Sequence, residues 1–246
     1  MRLNYVQSLR PSGIANVRKG MFFLLLVSMH FSAEAQPLYQ ADSSLEAVRH
    51  NSKHSIPLPF SLLIPAGLRE GYDMRDFIAS PEFGAFDSSN ASEVVFDEIY
   101  YSAVEYAHGD LDEALLAAAF GSIEHEYIPI AFFGSEIRIP LTSENHERFV
   151  VRWSHLPSHL YHTMENDRDK LQHFFASAWL MELLGMDWLA RLAGKMVEVG
   201  ESLFVVGGSE DPRDLHANHD GIHFAIQTSG NLEYPPSKAL TPNPLK

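Results

Sequence analysis

Asp169-Lys170-Leu171-Gln172-His173-Phe174-Phe175-Ala176-Ser177-Ala178-Trp179-Leu180-Met181-Glu182-Leu183-Leu184 is the stretch that decides the fold. It contains no Pro or Gly, runs for about four helical turns, and stops at Gly185, a residue favoured just past a helix end. The stretch reads as a helix. Asp169 and His173 are four apart and share a face with Ala176, Leu180 and Leu184, since each residue turns the chain by about 100°. An Asp and a His on an apolar stripe are costly unless they are paired. Downstream, Trp188 to Phe204 reads as a second helix and Pro212 to Ile226 as a third, with Gly207-Gly208 as the break. Pro212 stands just inside the third helix, where Pro is well tolerated. Glu198 and Glu201, three apart, share a face of the second helix. Asp214, Asn218 and Gly221 follow an i, i+4, i+7 spacing and fall within an arc of about 60° on the third.

Toward the N-terminus the signals are more varied. Thr142 to Trp153 is a short amphipathic segment, broken by Leu156-Pro157. Tyr127–Phe132 and Glu136–Leu141 flank Phe133-Gly134-Ser135 as in a hairpin, and their prolines suit edge strands. Asp110-Leu111-Asp112-Glu113 opens a helix through Phe120, because an Asp cap and early acids suit the positive helix N-terminus. Val94, Val95, Ile99 and Val104 mark another helix from Ser92. Ile56 to Pro65 is apolar but studded with prolines and predicts an extended stretch, and Ser80 to Asn90 reads as a loop. The fold class is therefore mainly α: a helical bundle with a small β-hairpin and an extended Pro-rich N-terminal segment. Residues 36–91 form a linker and extended segment, and 92–227 a helical domain that ends in a three-helix unit at 165–227. Residues 228–246, with four prolines, form a tail.

At the start of the chain, Met21 to Met29 is an apolar run preceded by Arg18-Lys19 and followed by Ser32-Ala33-Glu34-Ala35. Basic flank, short apolar run and A-x-A exit are the parts of a secretory signal peptide, so residues 1–35 are expected to be removed. Removal takes Arg2, Arg10, Arg18 and Lys19 but only Glu34, leaving the remainder more acidic. The whole chain of 246 residues already carries a net charge of −14. Such a chain repels a phosphate backbone and has no Lys/Arg run, so nucleic acid is not expected as a partner. With 46% hydrophobic and 20% charged residues it is not a disordered or low-complexity chain. Zero cysteines exclude disulfides, thiolate metal sites, a Cys nucleophile and a lipid-modified N-terminal Cys.

The C-terminal pattern resembles a known one. Asp169-Lys170-x-x-His173-Phe174, a Glu about thirty residues on, and Asp214-x-x-x-Asn218-x-x-Gly221 are similar to the D-K-x-x-H-F…E…D-x-x-x-[ND]-x-x-G pattern of the YfiM-like envelope proteins and the VanZ-like family. The resemblance covers residues 165–227. It implies a cell-envelope setting and marks Asp169, Lys170, His173, Glu201, Asp214, Asn218 and Gly221, with Glu198 as an alternate for Glu201. The chain departs from the VanZ-like family in its polarity, and its residues 36–164 have no counterpart there. Those proteins span the membrane, whereas Glu182, Asp187 and Arg191 interrupt Phe174–Gly194, each costing about 2.5–3.5 kcal/mol at bilayer depth.

Histidine forms a second constellation: His155, His159, His162, His173, His216, His219 and His223. Imidazoles at i, i+4 suit Zn²⁺, but no H-E-x-x-H supplies a metalloprotease base. No G-x-S-x-G, S-x-x-K, P-loop or G-x-G-x-x-G is present, which disfavours ordinary serine hydrolases and nucleotide enzymes. On the third helix the His stripe falls opposite Asp214 and Asn218, so it is expected to stand apart from them. Three readings stay open. Asp169, His173, Glu201, Asp214 and Asn218 form a polar cluster that specifies helix packing. Alternatively they serve a metal-assisted envelope hydrolase, in which a carboxylate or His173 activates water. The third reading is a membrane-surface module using Phe174–Gly194. The sequence names no cofactor.

Overall fold

A computed structural model describes residues 42–52, 64, 66–132, 135–140, 144–161, 166–187, 189–191, 211–228 and 231–241, with backbone only for 128–132 and 135–140. Polar side chains set the helix starts by accepting the first free backbone N–H groups. Asp42 accepts from Ser44 N ahead of a 3₁₀ turn at Ser43–Leu45, which leads into α1, Glu46–Asn51. Helix α2 spans Ala66–Ile78. Ser80 accepts from Phe83 N and Pro81 sits in the first turn of α3, Pro81–Ser89. Helix α4 is Ser92–Tyr106, and Asp110 accepts from Glu113 N to open α5, Leu111–Gly121. Strands β1, Tyr127–Phe132, and β2, Ser135–Pro140, pair antiparallel, with Tyr127 opposite Pro140 and Phe132 opposite Ser135. Asn145 caps α6, His146–Ser154, through Arg148 N. Helix α7, Arg168–Leu184, ends at Gly185, whose φ of 63° lies in the left-handed region that favours glycine. Helix α8 is Pro212–Thr228. The molecule is mainly helical, as its periodicities require.

Helices α7 and α8 lie against each other, α7 also rests on α5, and α5 in turn packs on α2 and α4. The core is aromatic. Phe96 of α4 lies 5.0 Å and 5.1 Å from the rings of Phe174 and Phe175, and Tyr100 lies edge-on 5.1 Å from Phe224. Such pairs add about 0.5–1.5 kcal/mol beyond the area they bury.

Two expectations need correction. The segment read as linker holds, in its described part, a 3₁₀ turn and helices α1 and α2, and the expected loop at Ser80–Asn90 is helix α3. Met74, Phe77, Ile78 and Phe83 are buried in the core. Gly67 and Gly71 look like helix breakers in sequence but serve close packing. A Cβ at Gly67 would stand 2.9 Å from Glu113 O, and one at Gly71 2.7 Å from the Phe120 ring, so both let α2 lie down on α5. The proline-studded stretch itself falls outside the described residues, except for Ile64. The second correction concerns residues 231–241, expected as tail. They form a strap with a 3₁₀ turn at Pro236–Ala239 and bury Pro236 and Ala239. Asp97 of α4 accepts from Ser237 N at 2.8 Å and Ser237 Oγ at 2.7 Å; Asp220 of α8 accepts from Thr241 N at 3.0 Å and Oγ1 at 2.8 Å.

Buried charge ties the remaining pieces. Glu144 takes Arg75 Nη2 at 2.6 Å and Arg152 Nε at 3.1 Å, while Arg152 donates to the Gly121 and Ile123 carbonyls at 2.9 Å each. Those carbonyls lie at the end of α5, so Arg152 fastens α6 there. Burial, reinforced by Arg75 and opposed by Glu144, brings the Arg152 guanidinium down to about 10. Among the described residues no helix is long and apolar enough to cross a membrane.

Candidate functional site

Lys170 lies one position from Asp169, about 100° around α7, and that offset turns it into the α7–α8 contact. Its side chain is 0% exposed. Its ammonium donates to Asp169 Oδ2, to Asp214 Oδ1, and to Asp211 Oδ2 at 3.0 Å. Asp169, Asp211 and Asp214 bring their carboxylates within 4.8 Å of one another, a spacing that repels strongly unless a cation sits between them. Lys170 is that cation. Burial lowers the affinity of the lysine for its proton, but the hydrogen bonds to Asp169 and Asp214 outweigh this and hold it above its usual range.

A second ring of contacts fixes the carboxylates. Asp211 accepts from Arg213 N, Nε and Nη2, at 2.9, 3.0 and 2.7 Å. Burial pushes the Asp211 carboxyl up, and the bonds from Arg213 and Lys170 more than reverse this, leaving it well below the ordinary carboxylate range. Arg213 also stands 3.5 Å from the buried Asp167, which precedes α7 and accepts from Tyr161 N at 3.1 Å. His173 Nε2 lies 3.5 Å from Asp214 Oδ1. One turn further on, Ser177 Oγ donates to Asn218 Oδ1 at 2.8 Å. At Gly221 a Cβ would overlap the Phe174 carbonyl of α7. The third position of the Asp214–Asn218–Gly221 spacing therefore lets the two backbones approach.

Of the residues read from sequence, Asp169, His173 and Asp214 converge around Lys170, and Asn218 joins the same helix contact through Ser177. Glu201 and its alternate Glu198 lie outside the described residues. Asp211 and Arg213 carry as much of the geometry and have no periodic signal of their own, whereas Ser177, four residues after His173, continues the i, i+4 spacing of Asp169 and His173. Glu124, in the turn after α5, is the other residue that spacing misses. Its backbone N–H donates to Gln172 Oε1 at 3.2 Å, which brings it over the His173 turn of α7. Burial first, and then the charge of Asp169, lift its carboxyl to about 7, with Lys170 and His173 pulling the other way. The Oδ1 atom of Asp169 is buried and accepts no hydrogen bond.

The His stripe stands apart from this cluster. His219 and His223 are exposed. His216 turns its Nε2 to Thr241 O at 3.0 Å and lays its ring on Tyr161 at 5.2 Å. His155 is occupied elsewhere, with Nδ1 2.7 Å from Ile78 O, and His162 lies outside the described residues. Phe174 and Phe175, the aromatic start of the proposed membrane-facing stretch, are core residues. No protein-family model, curated protein or solved structure matches the chain.

Proposed function

We propose that the chain is an exported cell-envelope protein whose C-terminal helices are locked together by a buried, lysine-centred carboxylate cluster. The observation that carries the packing role is the Lys170 ammonium, fully buried and shared by Asp169, Asp211 and Asp214. A cation is already supplied there by the chain itself. The resemblance of Asp169, Lys170, His173, Asp214, Asn218 and Gly221 to the YfiM-like and VanZ-like pattern supports the envelope setting. So does the basic, apolar and A-x-A order that ends at Ala35. Under this reading the cluster belongs to the scaffold, and the protein acts in the envelope as a binding or structural component.

The metal-assisted hydrolase reading keeps two specific supports. Asp169 Oδ1 is uncommitted and the Glu124 carboxyl, lifted to about 7, is suited to exchange a proton near neutrality. Two measurements decide. Intact mass of the exported protein should show loss of residues 1–35, and retention of Met1 on exported material contradicts the export reading. Thermal unfolding in Mg²⁺, Mn²⁺ and Ca²⁺ should leave the midpoint unchanged. A rise that Asp169→Asn abolishes would replace the packing role with the hydrolase reading.

A further inference from the structure

We propose that His219 and His223, on the outward face of α8, form a binding site for a divalent transition-metal ion of the zinc class. Residues four apart on a helix stack one above the other, so the two imidazoles stand side by side on one face. With Asp214 set at 0°, they fall at about 140° and 180°, away from the α7 contact. Both are exposed, His219 at 49%.

The atoms are also prepared. His219 Nδ1 lies 3.6 Å from Asp220 Oδ1, which leaves Nε2 as the nitrogen that faces outward to a ligand. Asp220 is completely buried and is held by Thr241 through two hydrogen bonds, so this carboxylate is fixed in place. At 3.6 Å the carboxylate lies beyond hydrogen-bond range, so it orients the Nδ1 edge of the ring toward the protein by its charge and no more. His216, the third member of the stripe, is committed to Thr241 and Tyr161 and does not contribute. Two imidazoles select Zn²⁺, Cu²⁺ or Ni²⁺ over Mg²⁺ or Ca²⁺, which prefer oxygen donors. They fill two of zinc's four tetrahedral positions and leave the others to water. This site is separate from the Lys170 cluster in residues and in chemistry.

The test is a Zn²⁺ titration of the full chain, followed through the imidazole NMR signals, with Mg²⁺ as the control ion and circular dichroism to verify the fold. One ion should bind and shift the signals of His219 and His223. His219→Gln and His223→Gln should each weaken binding by about tenfold or more, the scale on which metal sites respond to lost support. His159→Gln, an exposed histidine elsewhere, should leave the affinity unchanged. Undiminished binding by the folded double variant H219Q/H223Q, or Zn²⁺ that leaves both signals unmoved, would overturn the proposal.

Discussion

Glu124 shows how one side chain sets a pH dependence. Its carboxyl sits at about 7 in the folded chain against an ordinary 4.5, chiefly because burial disfavours the anion. The folded state then holds the proton more tightly than the unfolded one. Stability from this group is complete below pH 4.5 and is lost as pH rises through 7. Glu70, lifted to about 7 by burial, acts with the same sign, and Asp97 and Glu98 add to it. Asp211 works in the opposite sense: its carboxyl is depressed, so its contribution is present above the ordinary 3.8 and disappears in stronger acid. The thermal midpoint should therefore peak near pH 4.5 and decline toward pH 7.5. Glu124→Gln should flatten that decline. An unchanged slope in the variant would mean that Glu124 carries its charge at no cost. The residue was not legible in sequence, because a turn position shows no periodicity and its burial depends on α7 arriving from 48 residues away.

At the scale of elements, the α7–α8 contact is a backbone approach with polar bonds at its edge. Gly221→Ala places a methyl into the Phe174 carbonyl, and overpacking of that kind costs about 1–3 kcal/mol, occasionally more. Urea unfolding of the variant measures this directly. A neutral substitution would contradict a close backbone approach at Gly221. The strap gives a second expectation at this scale. Asp97→Ala removes both acceptors of Ser237, and the loss of such bonds is worth about 0.5–1.5 kcal/mol each. Hydrogen exchange should rise across 231–241 while α7 and α8 keep their protection; loss of protection throughout would show that the strap and the core open as one unit.

The elements also show what sequence reveals and what it hides. Helices α7 and α8 were readable because their apolar stripes are long and end on Gly or begin on Pro. The hairpin was readable from β-rich runs around Gly134. Helix α2 was hidden, since the glycines that allow it to touch α5 are the same residues that signal a break. The site divides in the same way. Asp169, His173, Asp214 and Asn218 follow from i, i+4 spacing on a stripe that would otherwise be apolar. Lys170 lies off that stripe, so its spacing alone reads as a surface lysine and only the resemblance to the D-K-x-x-H-F pattern marks it. Asp211 precedes α8, where spacing carries no information.

For the molecule as a whole, the Lys170 cluster joins residues 41 and 44 positions apart and fastens the last long helix to the core. Removing the lysine takes away the cation shared by three close carboxylates, of which Asp211 keeps Arg213, and breaking a buried pair of this kind costs about 3–5 kcal/mol. Removing a carboxylate at the same time should recover part of that loss, because the repulsion goes with it. The decisive measurement is a double-mutant cycle in urea on Lys170→Met, Asp214→Asn and the two together. A packing lock predicts that the double variant is more stable than the sum of the single losses, by about 0.5–3 kcal/mol of coupling. Strictly additive losses, with Lys170→Met as stable as the parent chain, would contradict the claim that this ammonium holds the C-terminal helices together.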